Sequence, residues 1–224
     1  FAGGIGFGTI FLKRGYSLQR TYALSKLESA MMPAIQVGLL VLVVTAPAFI
    51  FFSQKGPGAM HAPWLISLAA GLVVGGLSQV SRLCTVGGFR DLFLFKKSIL
   101  IFGYLAVLIG VFVVNISFGN FHLGFENQPI AHTDGLWNFL GMALAGFCSV
   151  LLGGCPLRQL IMTGEGNSDA AVTVLGLAAG AAFAHNFGLA ASGAGPTLNG
   201  EIAVVVGFIV ALIIAVVNTK RVNA

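Results

Sequence analysis

The sequence predicts an all-α integral membrane protein with about six transmembrane helices and two cysteine-bearing broken (re-entrant) helix loops in a repeated unit. Of the 224 residues, 57% are apolar and 8% are charged, and the mean hydropathy is +0.93. An ordinary soluble domain carries about 25% charged residues. The 31 glycines suit close packing of helices in lipid. These observations exclude a soluble globular domain.

Six segments are each long and apolar enough to cross a bilayer, which requires about 20 residues. In chain order they are 31–53, 62–80, 98–118, 136–153, 169–190 and 200–218. The opening segment, 1–12, is glycine-rich and apolar, and we interpret it as the end of a further element. Because the chain starts at Phe1, we expect a processed product, a fragment or the second half of a longer protein.

The basic residues alternate between the two sides of this six-span topology. One side carries eleven of the 12 lysines and arginines: Lys13, Arg14, Arg20, Lys26, Arg82, Arg90, Lys96, Lys97, Arg158, Lys220 and Arg221. The other side carries Lys55 alone. Because cytoplasmic loops are rich in Lys and Arg, the segment 13–30 and the C-terminus are predicted to be cytoplasmic, in the cytoplasmic membrane of a bacterium or archaeon. The net charge of +5 is thus a topological feature and not evidence of nucleic-acid binding.

An internal repeat organises the chain into two units, at about 62–118 and 136–190. In each unit a glycine-rich span ends in a cysteine and is followed within one or two turns by Arg-x-Leu: Cys84 and Arg90 in the first, Cys155 and Arg158 in the second. Paired elements with one reactive-type residue at each helix break are typical of a substrate pathway. A purely structural repeat is the alternative.

The most informative stretch of the chain is 151–160, which reads Leu-Leu-Gly-Gly-Cys-Pro-Leu-Arg-Gln-Leu. Gly153 and Gly154 allow a tight entry, and the proline at the first helical position puts Cys155 at the cap of a short helix. Arg158 lies one turn later on the same side. A positive helix end, a thiol and a guanidinium therefore converge, which predicts a binding site for an anion.

The remaining candidates have simpler interpretations beside the functional ones. His185, toward the outer end of its span, either contacts the substrate or bonds a neighbouring helix, and Arg90 is either a pathway residue or a cytoplasmic anchor. Cys148, in the middle of a span, is interpreted as a packing residue. The histidines of the outer loops lack metal-ligand spacing, so no metal and no cofactor are predicted. No nucleotide-binding loop is present, which argues against an ATP-driven pump.

Three motifs of the sequence are similar to those of a known protein family. Gly-Gly-Cys-Pro-Leu-Arg-Gln-Leu-Ile at 153–161, the run at 164–171 and Ala-His-Asn-Phe-Gly-Leu at 184–189 resemble the YeeE/YedE family of sulfur-transport membrane proteins, in particular its selenium metabolism branch, YedE/FdhT. The resemblance implies a bundle of two pseudo-symmetric halves in which midplane cysteines pass a sulfur oxyanion such as thiosulfate. Carried over, Cys84 and Cys155 match the pathway cysteines of the C-terminal half.

The resulting functional prediction is a transporter or channel, not an enzyme, that passes a small sulfur- or selenium-containing compound inward along its intramembrane cysteines. Residues 1–224 form a single membrane domain in the lipid bilayer, and an N-terminal half or a second copy would complete the pore. The alternative is a membrane sulfurtransferase, a persulfide relay that works with a cytoplasmic TusA-like sulfur carrier. A structural subunit of another membrane complex is the third possibility.

The charge distribution predicts that positions 55 and 126 are extracytoplasmic and that positions 20, 96 and 221 are cytoplasmic. Single cysteines at these positions, in a chain without its three native cysteines, should separate into two classes. An impermeant thiol reagent applied to intact cells should label the first class, and label the second only after the cells are opened. Labelling of position 126 from the cytoplasmic face alone would contradict the topology.

Overall fold

The fold is all-helical across residues 1–18, 25–47, 62–124 and 132–219, which are the residues that the computed structural model describes. These residues form the helices α1 (Ala2–Lys13), α2 (Lys26–Thr45), α3 (Trp64–Ser81), α4 (Thr85–Phe95), α5 (Ile99–Ser117), α6 (Gly135–Leu151), α7 (Pro156–Gly164), α8 (Ser168–Asn186) and α9 (Leu198–Val217). Six spans within them are long and apolar enough to cross a membrane: α2, α3 with α4, α5, α6 with α7, α8 and α9. The predicted fold class is confirmed, while re-entrance of the cysteine loops stays a prediction.

The first span differs from its predicted bounds of 31–53. It begins earlier because Ser25 and Glu28 form a capping box, in which the Ser25 hydroxyl accepts from the Glu28 amide and the Glu28 carboxylate accepts from the Ser25 amide at 2.8 Å. It ends at Thr45, because Ala46 adopts a left-handed conformation with φ of 40° directly before Pro47. Residues 48–53 of the predicted span lie outside the described residues.

The core is built where α1 and α9 pack on α6. Glycines let α1 and α6 approach closely: a Cβ at Gly4 would overlap the Ala143 carbonyl, and a Cβ at Gly8 would lie 2.9 Å from Val150. The cluster they enclose consists of Phe11, Tyr16, Phe147, Leu151, Ala211 and Ala215, with Phe147 fully buried. The opening segment, predicted only as the end of an element, is therefore a helix at the centre of the packing.

The segment that follows α1 and the segment that follows α9 meet beside the last turn of α6. Tyr16 pairs with Thr219 in an isolated β-bridge, and the Tyr16 hydroxyl donates to the Leu151 carbonyl at 3.2 Å. The segments around 16 and 219 thus share one face of the molecule. Positions 20, 55, 126 and 221 lie outside the described residues, so the cytoplasmic identity of that face stays a prediction.

The helices follow the same order in the two units predicted from the repeat. A long helix, a short helix and a second long helix occur as α3, α4 and α5, and again as α6, α7 and α8. In each unit the short helix packs on the long helix that follows it. The two cysteines of the repeat lie at the breaks before the two short helices.

The glycine contact predicts a position-specific effect on stability. Gly4→Ala should lower the free energy of unfolding by about 1–3 kcal/mol, because the added methyl group meets backbone that cannot move aside. Gly3→Ala is the matched control, since a Cβ there meets nothing within 4 Å. Unfolding by sodium dodecyl sulfate in mixed micelles, followed by circular dichroism, measures both variants. Equal stability of the two would contradict the packing of α1 on α6.

Candidate functional site

The first helix break has a defined hydrogen-bonding pattern. Arg82 adopts a left-handed conformation with φ of 51°, and its amide donates to the Gln79 carbonyl at 3.3 Å. The Leu83 amide reaches back to the Ser78 carbonyl at 3.1 Å. This pair of bonds is a Schellman motif, which satisfies the last carbonyls of α3. Cys84 is the residue that immediately follows the motif.

The second break repeats the pattern. Gly153 adopts a left-handed conformation with φ of 82°, its amide donates to the Val150 carbonyl at 3.0 Å, and the Gly154 amide donates to the Ser149 carbonyl at 3.1 Å. Cys155 immediately follows, as Cys84 does in the first unit. The two cysteines therefore occupy equivalent positions in the same local fold.

Each cysteine is the N-cap residue of a short helix. Cys84 precedes α4, and its sulfur accepts a hydrogen bond from the Gly87 amide at 3.2 Å. Cys155 precedes α7, which begins with Pro156 as the sequence predicted. The first turn of a helix has unpaired amides and a partial positive charge, so both thiols lie at positions where negative charge is favoured.

The two thiols share one buried cluster. Cys84 is 8% exposed and Cys155 is 4% exposed, and they pack with Ile5, Val86 and Val150. Their side chains interact directly with each other, and Cys155 also interacts with Thr85 at the start of α4. Both are free thiols. The positive ends of α4 and α7 thus converge on a pair of adjacent sulfurs.

The arginines of the repeat are not equivalent to each other. Arg158 lies three residues after Cys155, and the residue three after Cys84 is Gly87. Arg90 lies one turn further along α4 and bonds its own neighbour, with distances to Asp91 Oδ1 of 2.9 Å from Nε and 2.8 Å from Nη2. The structure therefore places Arg90 in an ion pair with its own neighbour in the chain.

Arg158 belongs to a polar cluster that sequence reasoning missed, formed with Gln79 and Glu165. Its Nη1 donates to Gln79 Oε1 at 3.0 Å, and its Nη2 lies 3.6 Å from Glu165 Oε2. Gln79 Nε2 in turn donates to Glu165 Oε1. We call these three residues the Arg158 cluster. Gln79 precedes Arg158 by 79 residues, and no local pattern in the sequence predicts their contact.

Gly154, His185 and Cys148 are also singled out by the sequence, and each lies in a different setting. Gly154 is buried, and a Cβ there would lie 3.5 Å from the Arg158 stem. His185 is exposed near the end of α8, roughly 25 Å along that helix from its start. Cys148 packs against the α1–α6–α9 core and not in the thiol cluster. Among the described residues, no group of His, Cys, Asp or Glu could hold a metal ion.

Comparisons with known proteins add an independent observation. The profile of a family described as Sulphur transport matches residues 80–222, a stretch that contains both cysteines and the whole of α7. A curated relative, the thiosulfate transporter TsuA of Escherichia coli (strain K12), is 30% identical over 111 residues. The aligned stretch covers 48% of this chain and 30% of the relative, so the chain spans only a minor part of that protein. No solved structure matches significantly.

The adjacency of the thiols predicts selective cross-linking. In a Cys148→Ala chain, copper-phenanthroline should join Cys84 and Cys155 in an intramolecular disulfide that dithiothreitol reverses. The matched control is Cys84→Ala, in which Cys148 and Cys155 belong to different clusters and should stay unlinked. Peptide mass spectrometry without reduction identifies the linked pair. Linkage in the control and not in the test chain would contradict the site.

Proposed function

This chain belongs to the sulphur transport family, and we propose that it passes a thiosulfate-like anion inward across the membrane by way of Cys84 and Cys155. The observation that supports this proposal is the buried thiol pair at the positive ends of two short helices. The six apolar spans agree with an integral membrane transporter.

The proposed chemistry is replacement of water around a dehydrated anion. An anion that enters lipid must exchange its hydration shell for donors that bind it weakly enough to release it. Two helix starts supply electrostatic attraction without a full charge. Protonated thiols are weak donors with polarisable sulfurs, which suits the soft sulfur end of thiosulfate. A thiolate would repel the same anion.

A complete pore is proposed to need more protein than this chain. Among the described residues, α5 buries none of its side chains and the apolar window of α2 is equally uncovered. An N-terminal half or a second copy would cover part of that surface, and lipid the rest. A cytoplasmic TusA-like carrier remains a proposed partner. Transport of a selenium compound, and membership of the selenium metabolism branch, stay predictions.

A sulfur-transferring relay is the second candidate function. It is favoured by the direct interaction between the two thiols, because a persulfide formed on one cysteine would lie beside the other. In this relay a cysteine thiolate would attack the outer, sulfane sulfur of thiosulfate, the S–S bond of thiosulfate would break with release of sulfite, and the sulfur would stay on the cysteine as a persulfide. Conduction needs a small polarisable donor at each position, whereas transfer needs a sulfur atom that forms a covalent bond. Substitutions of the two cysteines therefore separate the two functions.

Serine and alanine substitutions at Cys84 and Cys155 distinguish conduction from transfer. If the thiols only solvate the anion, serine should reduce thiosulfate uptake several-fold, because it keeps a small donor but is less polarisable, and alanine should reduce it further. Cys148→Ser is the matched control and should take up thiosulfate normally, since Cys148 lies outside the thiol cluster.

A covalent relay would give a different result. Serine and alanine would then be equally inactive, because neither forms a persulfide. Mass spectrometry of the substrate-treated wild type would also find a stoichiometric sulfur adduct on Cys155. We expect the graded loss and no adduct, and the adduct together with complete loss in serine would replace conduction by transfer.

A further inference from the structure

The Arg158 cluster contains a carboxylate that occupies the position where an anion would bind Arg158. Glu165 Oε2 faces the guanidinium at 3.6 Å, a distance typical of a loose ion pair rather than a hydrogen bond. The side chains of Arg158 and Glu165 are 24% and 39% exposed. Ion pairs with such exposure contribute about 0–1 kcal/mol, so another anion can displace this carboxylate at small cost.

Gln79 holds the carboxylate in place. Its side-chain oxygen accepts from Arg158 at 3.0 Å, and its side-chain nitrogen donates to Glu165 Oε1. One amide thus bridges the guanidinium and the carboxylate, and it leaves Oε2 opposite Arg158. Arg158 is three residues from Cys155 and Gln79 is five residues from Cys84. The cluster therefore connects the helix that leads to one thiol with the helix that begins at the other.

The ion pair between Arg90 and Asp91 provides a comparison for Arg158. These residues are sequence neighbours on α4, and both contacts are of hydrogen-bond length, 2.8 and 2.9 Å. Arg158 instead receives its counter-charge from beyond the end of α7, at a longer distance. The two arginines differ in how readily their carboxylate can leave.

We propose that Glu165 is an internal counter-anion that competes with the transported anion for Arg158 and so sets the affinity of the pathway. The entering anion takes the place of the carboxylate at the guanidinium, and Glu165 returns when the anion has left. Gln79 is a positioning residue that aims the carboxylate. The inference rests on the proposed function, because it takes the transported species to be an anion.

Glu165→Gln removes the competing charge and keeps the size and polarity of the side chain. It should lower the KM for thiosulfate uptake by about two- to five-fold, the factor that corresponds to the free energy of an exposed ion pair, without raising Vmax. Glu165→Asp keeps the charge and should return KM toward the wild-type value. Asp91→Asn, the matched control at the Arg90 pair, should leave KM unchanged.

A double substitution separates competition from a general change in the fold. In an Arg158→Gln chain, Glu165→Gln should no longer lower KM, because the site of competition is gone. All variants are compared in the full chain together with the N-terminal half or second copy that completes the pore, and thermal unfolding in detergent tests whether they fold alike.

Each outcome bears on a different claim. An unchanged or raised KM in Glu165→Gln, with normal wild-type uptake, would overturn the counter-anion inference and leave the transport function standing. An equal fall of KM in Asp91→Asn would also overturn it, because the effect would then follow net charge alone. Absence of thiosulfate uptake by the wild type would overturn the proposed function, and the inference with it.

Discussion

Two helix starts, each capped by a cysteine, meet in one buried cluster, and this contact constrains how the surrounding helices pack. A buried helix start exposes unpaired amides to an apolar medium, which is costly unless polar partners are present. Here the Cys84 sulfur accepts a hydrogen bond from the Gly87 amide, and Cys155 packs in the same cluster as Cys84. Ile5 of α1 is fully buried in the same cluster and shields it from one side. The glycine contact between α1 and α6 makes that approach possible.

Two arginines near this contact, Arg90 and Arg158, are paired with carboxylates, as expected for arginines near lipid. Arg90 is neutralised by its neighbour Asp91, and Arg158 by a glutamate that an amide holds in place. The path proposed for an anion therefore combines uncharged donors at its centre with one loosely compensated cation beside it. Such a combination would attract an anion and still release it, because the ion pair of Arg158 is loose and partly exposed.

Most of the fold could be predicted because apolar runs of about 20 residues determine membrane spans directly. The equivalence of Cys84 and Cys155 was also visible, as a repeat, and Pro156 correctly marked the start of α7. The first span was misplaced although its capping residues and the following proline stand in the sequence. The central role of α1 and the contact between Gln79 and Arg158 could not be predicted, because both depend on distant segments whose shapes match only in the folded chain.

Protection of the native thiols by substrate tests whether an anion binds between the two helix starts. Membranes that contain the wild-type chain are treated with a small permeant maleimide, with and without saturating thiosulfate, and the alkylation rate of each cysteine is followed by mass spectrometry. We expect thiosulfate to slow alkylation of Cys84 and Cys155 together, while Cys148, which packs elsewhere, reacts at an unchanged rate. Equal rates at Cys84 and Cys155 with and without thiosulfate would contradict an anion held between the two helix starts.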